Sequence, residues 1–394
     1  MPKVLRIINR FNLGGPTYNV AYLTKHLPAE YETLLIGGPE EEGETSSLHI
    51  TDSLGLKPII IESLNREIDL KKDRLAYKEI KKIITEFKPD IVHTHASKAG
   101  AIGRLAAISC GVPIIVHTFH GHVFHSYFGK LKTLFYKTIE RYLAKRSNAI
   151  VAISKKQKNE LVNEFHICKD EQTHIIPLGF DLKKFSENTT EKRNQFRSTY
   201  HINDNELAIG IIGRLAPIKH HELFMDAIEH IQKNNDLPIK AIIVGDGETR
   251  EHLKNYLQQK LLKYSFGEDP NATFQFIGWQ KEVDVVLSGL DIVALSSKNE
   301  GTPVSLIEAQ AAGKFIVTTN VGGVKDILKD GCGFIAENNM EFKQLLEKAA
   351  LNFKTLNDQA RSGISFAQEN FSYTRLVSDM DALYKKLLKT SKNK

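Results

Sequence analysis

Cysteine is scarce in this chain. Cys110, Cys168 and Cys332 are isolated from one another, and none forms a CxxC pair. That excludes a disulfide framework or a zinc knuckle and suits a reducing compartment. Long apolar runs are also missing: nothing approaches the roughly 18 residues that span a bilayer. Met1 to Phe11 reads as a short strand without a signal-peptide pattern, so a cytoplasmic protein that is not integral to a membrane is expected. Neither sign of charge dominates, with 53 Lys and Arg against 47 Asp and Glu and a net charge of +6. Without an arginine-rich arm nucleic acid is not implied, while an anionic small ligand or membrane surface is compatible. No internal repeat or low-complexity tract is present. Asp379-Met380-Asp381 has the form of a DxD metal motif, but it lies within a helical pattern and reads as a solvated face.

The chain does contain two runs of alternating short apolar segments and amphipathic stretches. At 394 residues it is long enough for two domains. Strand-like segments in the first half are Val4–Ile8, Thr33–Ile36, Pro58–Ile61, Asp90–His93, Pro113–Val116, Ala149–Ala152 and Ile175–Pro177. A polar stretch, Lys183 to Glu206, reads as an interdomain linker. The pattern resumes with Leu207–Ile212, Ala241–Val244, Phe274–Ile277, Ile292–Leu295 and Phe315–Thr318. Continuous apolar strands between helices indicate parallel sheets covered on both faces. The expected architecture is two Rossmann-like domains, 1–182 and 207–372, facing each other across a cleft. An amphipathic helix at 373–390 is expected to cross back onto the first domain.

The most informative stretch is Ser296 to Gly313. Thr302 reads as a helix N-cap, with Pro303 at the first helical position and Gly313 as the stop. The free amides of Val304 and Ser305 would then face an anion such as a phosphate. Glu300 precedes this helix and Glu308 lies on it. Carboxylates accept hydroxyl protons and repel phosphate, so the pair suits sugar rings on either side of a diphosphate. After the first strand of the second half, Gly213-Arg214 and Lys219 place two cations where a diphosphate could be clamped. Gly14-Gly15, between the first strand and a helix, would let backbone approach a ligand. Read alone, each has a plain alternative: an ordinary turn or solvated surface charge. His93, His95, His117, His120, His122 and His125 cluster without accompanying carboxylate or thiol ligands, so no metal site is expected. His120 is instead the candidate to reach a sugar hydroxyl or a developing charge. Residues 129–147 form a basic amphipathic segment that either packs on its own sheet or touches an anionic membrane.

Taken together these residues resemble glycosyltransferase family 4, retaining enzymes of the GT-B fold, over nearly the whole length. The resemblance rests on Glu300-Gly301 through Glu308-Ala309 with Gly313, and on Gly213-Arg214 with Lys219. It is extended by Gly245-Asp246-Gly247 with Arg250, Phe276-Ile277-Gly278 and Asn320-Val321-Gly322-Gly323. In the first half Gly14-Gly15, Pro89 to His95 and Ile176 to Asp181 also match. The resemblance implies that Arg214 and Lys219 neutralise the donor diphosphate and that Glu308 holds the ribose diol. Glu300 would sit by the transferred sugar, with the amides of Gly301, Thr302, Val304 and Ser305, around Pro303, serving sugar and phosphate. Gly15 would contact phosphate from the opposing domain. The donor would be a nucleoside diphosphate sugar, by default UDP-linked, and the acceptor a glycan or lipid-linked hydroxyl, with no cofactor. Two departures stand out. His220 follows Lys219 where glycine or asparagine is usual, and Leu178 and Phe180 flank Gly179 where Asn and Val are common. The segment from Phe119 to Phe128 resembles that of bacterial surface-polysaccharide enzymes. A sugar-nucleotide 2-epimerase or a noncatalytic sugar-nucleotide binder are the alternatives; product analysis with donor alone and with acceptor distinguishes them.

Overall fold

The fold comes from a computed structural model that describes every residue except 13, 42–45, 66, 122–129, 268 and 393–394. The chain divides into two compact units, Met1–Phe180 with Phe371–Lys394, and Asp181–Asn370.

The first unit contains β1 (Lys3–Arg10), β2 (Glu32–Gly38), β3 (Ile59–Ile60), β4 (Ile91–His95), β5 (Ile114–Phe119), β6 (Ala149–Ala152) and β7 (Thr173–Ile175). They form one sheet in the order β3-β2-β1-β4-β5-β6-β7, and every pair is parallel. Successive side chains alternate between faces, so β1 divides its apolar residues between two cores. Val4 joins Ile91, Ile114 and Val116 against Leu376, Met380 and Tyr384 of helix Tyr373–Lys392. Leu5 and Ile7 pack on the other side with Ile80, Ile84 and Ala106.

Helix Tyr373–Lys392 therefore belongs to the first unit, and the loop after β7 holds its start. Phe180 bridges Ser372, the Phe180 amide donates to the Phe371 carbonyl at 2.8 Å, and the Tyr373 amide donates to Phe180 at 2.9 Å. Arg375 Nη2 donates to the carbonyls of Pro177 and Leu178 at 2.8 and 2.7 Å. Gly179 is required by proximity: a Cβ there would lie 2.5 Å from Leu376 Cβ and 2.9 Å from the Ser372 carbonyl oxygen. Leu178 and Phe180 are buried beside it. The Ile176–Asp181 segment thus docks the C-terminal helix, which accounts for its apolar departures. On that helix Asp379 pairs with Arg375, and Asp381 with Lys385 and Tyr31.

The second unit contains β8 (Leu207–Ile212), β9 (Ile239–Val244), β10 (Tyr264–Phe266), β11 (Phe274–Phe276), β12 (Ile292–Leu295), β13 (Phe315–Thr319) and β14 (Gly333–Ala336). Their order is β10-β11-β9-β8-β12-β13-β14, again parallel throughout. The sequence pattern missed β10 and β14. Both are short edge strands, where only one neighbour and partial burial shape the composition.

Lys183 to Glu206 is not a linker, which corrects the sequence reading. It carries helix Thr189–Thr199, packed on helix Val283–Gly289 within the second unit. Phe196 is buried against Gly289, where a Cβ would meet the Phe196 ring at 2.1 Å. Arg193 and Arg197 reach the buried Asp291 carboxylate at 2.9 and 3.2 Å, and Asp291 also accepts from the Ala208 amide at 2.8 Å. Charge hid the segment because its buried guanidinium is paired, so polarity did not mean solvent.

Candidate functional site

In the second sheet the order of connection reverses between β8 and β12. At such a switch point, ligands bind outside the carboxyl ends of the strands. The residues singled out by sequence converge there. Gly213 and Arg214 follow β8, and Lys219 closes a short 3-10 turn, Pro217–Lys219. Glu300 lies in the loop after β12. Lys219 Nζ sits 2.6 Å from Glu300 Oε1, and Ser297 Oγ donates to the same oxygen at 2.6 Å.

Backbone contacts join the two loops independently of that ion pair. The Lys298 amide donates to the Ile218 carbonyl at 2.8 Å. Ser296 Oγ reaches the carbonyls of Lys219 and His220 at 3.0 and 2.9 Å. Lys219 passes over Gly213, whose Cβ position would be 3.5 Å from Lys219 Cε. His220 has φ 50 and ψ 52. That left-handed conformation explains why glycine or asparagine is usual there, and histidine is among the residues that tolerate it.

The helix expected to face a phosphate runs Val304–Ala311, one residue later than the sequence implied. Pro303 is its N-cap, with ψ 107 outside the helical range, and Thr302 makes no capping hydrogen bond. Thr302 Oγ1 is instead buried without a partner among the described residues. The end is as expected. Gly313 has φ +66, its amide donates to Gln310, and the Lys314 amide donates to Ala309, which together form a Schellman stop. The loop after β13 supports the site from the side. The Gly323 amide donates to the Gly301 carbonyl at 2.7 Å, and Gly322, with φ +55, lies so close that a Cβ would be 2.0 Å from the Glu300 carbonyl oxygen.

Glu308 is half-buried on the helix, with its side chain leaning toward the N-terminal turn. Burial pushes its carboxyl up to about 7; Lys184 opposes the rise and Asp284 adds to it. Arg214 is the least restrained member. Its side chain is 63% exposed, and Glu248 Oε1 is 3.7 Å from Nη2. Such a guanidinium is free to turn toward an anion.

In the first unit the switch point lies between β1 and β4. Gly14 caps helix Gly15–His26, and among the described residues only Pro16 Cδ would lie within 4 Å of a Cβ there. His120 follows β5, and its Nε2 lies 3.0 Å from His95 Nδ1. Burial pushes His120 down to about 4. His93, His95 and His117 are buried and held well below the ordinary histidine value, chiefly by desolvation. Hydrogen bonds of His93 go to Tyr384 and Thr118, and His117 bonds Thr94. His122, His125 and the rest of the aromatic segment to Phe128 lie outside the described residues. Sequence reasoning missed Ser297 and the His95 contact, and it named Gly322 as a family landmark without its packing role. The His95 contact was signalled by His-Thr-His, since residues two apart on a strand share a face.

Residues 13–184 match the model described as Glycosyltransferase Family 4, and residues 192–365 match the one described as Glycosyl transferases group 1. A relative in Escherichia coli, named UDP-Gal:alpha-D-GlcNAc-diphosphoundecaprenol alpha-1,3-galactosyltransferase, is 32% identical over 296 residues, 74% of each chain. The Staphylococcus aureus capsular polysaccharide biosynthesis glycosyltransferase CapM is 26% identical over 345 residues, 83% of this chain and 86% of CapM. Among solved structures, HepE of Anabaena in complex with UDP matches with a TM-score of 0.79 at 16% identity, covering 98% of this chain and 100% of HepE. The two doubly wound sheets are those of the GT-B fold, and the chain belongs to glycosyltransferase family 4.

Proposed function

We propose that this glycosyltransferase moves a hexose or N-acetylhexosamine from a UDP-linked donor to a hydroxyl of a lipid-linked or glycan acceptor in cell-surface polysaccharide assembly. Transfer retains the anomeric configuration and uses no metal. The observation that carries the reading is the Lys219–Glu300 pair, 2.6 Å apart at the β8/β12 switch point and next to a helix N-terminus. A cation, a carboxylate and free amides at the carboxyl ends of two neighbouring strands match the alternation of charge and hydroxyls in a sugar nucleotide. The names of the E. coli and S. aureus relatives support the donor, acceptor and pathway.

Breaking the anomeric C–O bond leaves positive charge on the sugar and moves an electron pair onto the diphosphate. Lys219, Arg214 and the amides of Val304 and Ser305 stabilise that growing negative charge. These positive groups do the work that a divalent cation performs elsewhere. The acceptor hydroxyl attacks from the leaving-group side, and the departing phosphate oxygen takes its proton. Glu308 accepts from the ribose hydroxyls, Glu300 lies by the transferred sugar, and His120 donates to one of that sugar's hydroxyls. Gly14 and Gly15 bring the backbone close to the phosphate.

Helix Lys130–Lys145 supports contact with the inner face of the membrane. It exposes Leu134 (58%) and Phe135 (62%) near Lys137, and no helix among the described residues is long and apolar enough to cross a bilayer. Co-sedimentation with anionic but not neutral vesicles is expected. The function itself is tested by incubating purified protein with a panel of nucleotide sugars, with and without a lipid-linked acceptor. A UDP-sugar consumed only with acceptor, giving an α-product from an α-donor in the presence of EDTA, is the expected result. Loss of turnover in EDTA, an inverted product, or epimerised donor without acceptor would refute the corresponding part.

A further inference from the structure

We infer that His95 is a positioning residue, one that fixes His120 as the tautomer carrying its proton on Nδ1. The inference rests on the reading of His120 as a donor to the transferred sugar.

His93 and His95, two apart on β4, share a sheet face with Arg6, which lies opposite His93 in the β1–β4 register. His93 is fixed at both nitrogens, Nδ1 at 2.6 Å from the Tyr384 hydroxyl and Nε2 at 2.7 Å from Thr118 Oγ1. Its ring lies against that of His95, with centroids 4.2 Å apart. Fully buried and backed by this clamped ring, His95 presents Nδ1 to His120 Nε2 at 3.0 Å. Two nitrogens then remain without partners among the described residues, His95 Nε2 and His120 Nδ1.

The contact holds one proton, and its owner decides what the other two nitrogens carry. If His120 donates, His95 must place an N–H at its buried Nε2 with nothing to receive it. If His95 donates, Nε2 is a bare lone pair and His120 carries its proton on Nδ1. Either way one buried N–H lacks an acceptor among the described residues, His95 Nε2–H in the first case and His120 Nδ1–H in the second, and only the second stands where the sugar hydroxyl is proposed to receive it. Arg6 decides for the second. It is fully buried, its Nε and Nη2 lack partners among the described residues, and its charge acts on His95. A nearby cation favours a lone pair over another N–H. Desolvation opposes protonation of either ring. His120 is therefore a neutral donor through Nδ1–H, suited to a hydroxyl oxygen and unsuited to general acid catalysis.

The test uses the full chain labelled with 15N-histidine, together with steady-state kinetics. In the wild type the His120 signals should show a protonated Nδ1 and a bare Nε2. In His95→Leu they should average between tautomers, and kcat should fall about tenfold, the loss of one neutral hydrogen bond, with little change in donor KM. His95→Asn, whose amide nitrogen stands near the place of Nδ1, should restore the tautomer and most of the rate. A proton on Nε2 of wild-type His120 overturns the inference, as does His95→Asn behaving like His95→Leu in both readouts. Wild-type turnover by His120→Leu would instead remove His120 from the sugar. The spectrum separates that failure from the first, because it reads the tautomer without any reaction.

Discussion

Glu308 offers a prediction that depends on the donor's ribose and not on its chemistry. Burial pushes its carboxyl to about 7 from an ordinary value of 4.5. Near pH 6.5 the empty site therefore holds about three quarters of a proton there, and near pH 8 about a tenth. Ribose hydroxyls donating to the carboxylate favour its charged form and lower its pKa. Donor binding should then release about 0.7 proton at the lower pH and almost none at the higher. Isothermal titration calorimetry with UDP in buffers of different ionisation enthalpy reads this number directly. Apparent affinity should weaken as the pH falls below 7, because the protonated acid must first be discharged. The stability of the empty protein gives the same sign. A carboxyl raised above its unfolded value is tolerated while protonated, and its ionisation costs stability as pH rises through 7. Glu308→Gln should thus match the wild type at low pH and exceed it above pH 7, by up to about 3 kcal/mol. Equal proton release in wild type and Glu308→Gln, or none at either pH, refutes the assignment of Glu308 to the ribose.

Two further perturbations probe other elements. Arg214→Ala should lower kcat on the order of 10²–10³-fold with an unchanged melting temperature, since its side chain is exposed and weakly paired; an unaltered rate would remove it from the diphosphate. Gly179→Ala should destabilise the first unit by about 1–3 kcal/mol through overpacking, read in thermal melts, because its Cβ would meet Leu376 and Ser372 at 2.5 and 2.9 Å. A neutral effect would mean the C-terminal helix is not held by that loop.

The sequence showed most of the strand order's ingredients, because fully buried parallel strands such as Ile292–Leu295 and Ala149–Ala152 are unbroken apolar runs. Gly213, Lys219 and Glu300 are legible too, because each lies just after an apolar strand run. Three features were hidden for physical reasons. Pro303 looked like a first helical residue, but the pyrrolidine ring fixes φ and leaves ψ free, so the helix begins at Val304. Lys183 to Glu206 looked solvated because its buried Arg197 is matched by Asp291, a partner 94 positions away. Tyr384 lies 291 positions from His93, and no local pattern reports such a contact.

Catalysis as proposed depends above all on Lys219 acting on the departing diphosphate. Its most direct test is the single-turnover rate of Lys219→Met with saturating UDP-sugar and acceptor. The predicted result is a fall on the order of 10²–10³-fold in a folded enzyme that still binds donor; transfer at the wild-type rate would contradict it.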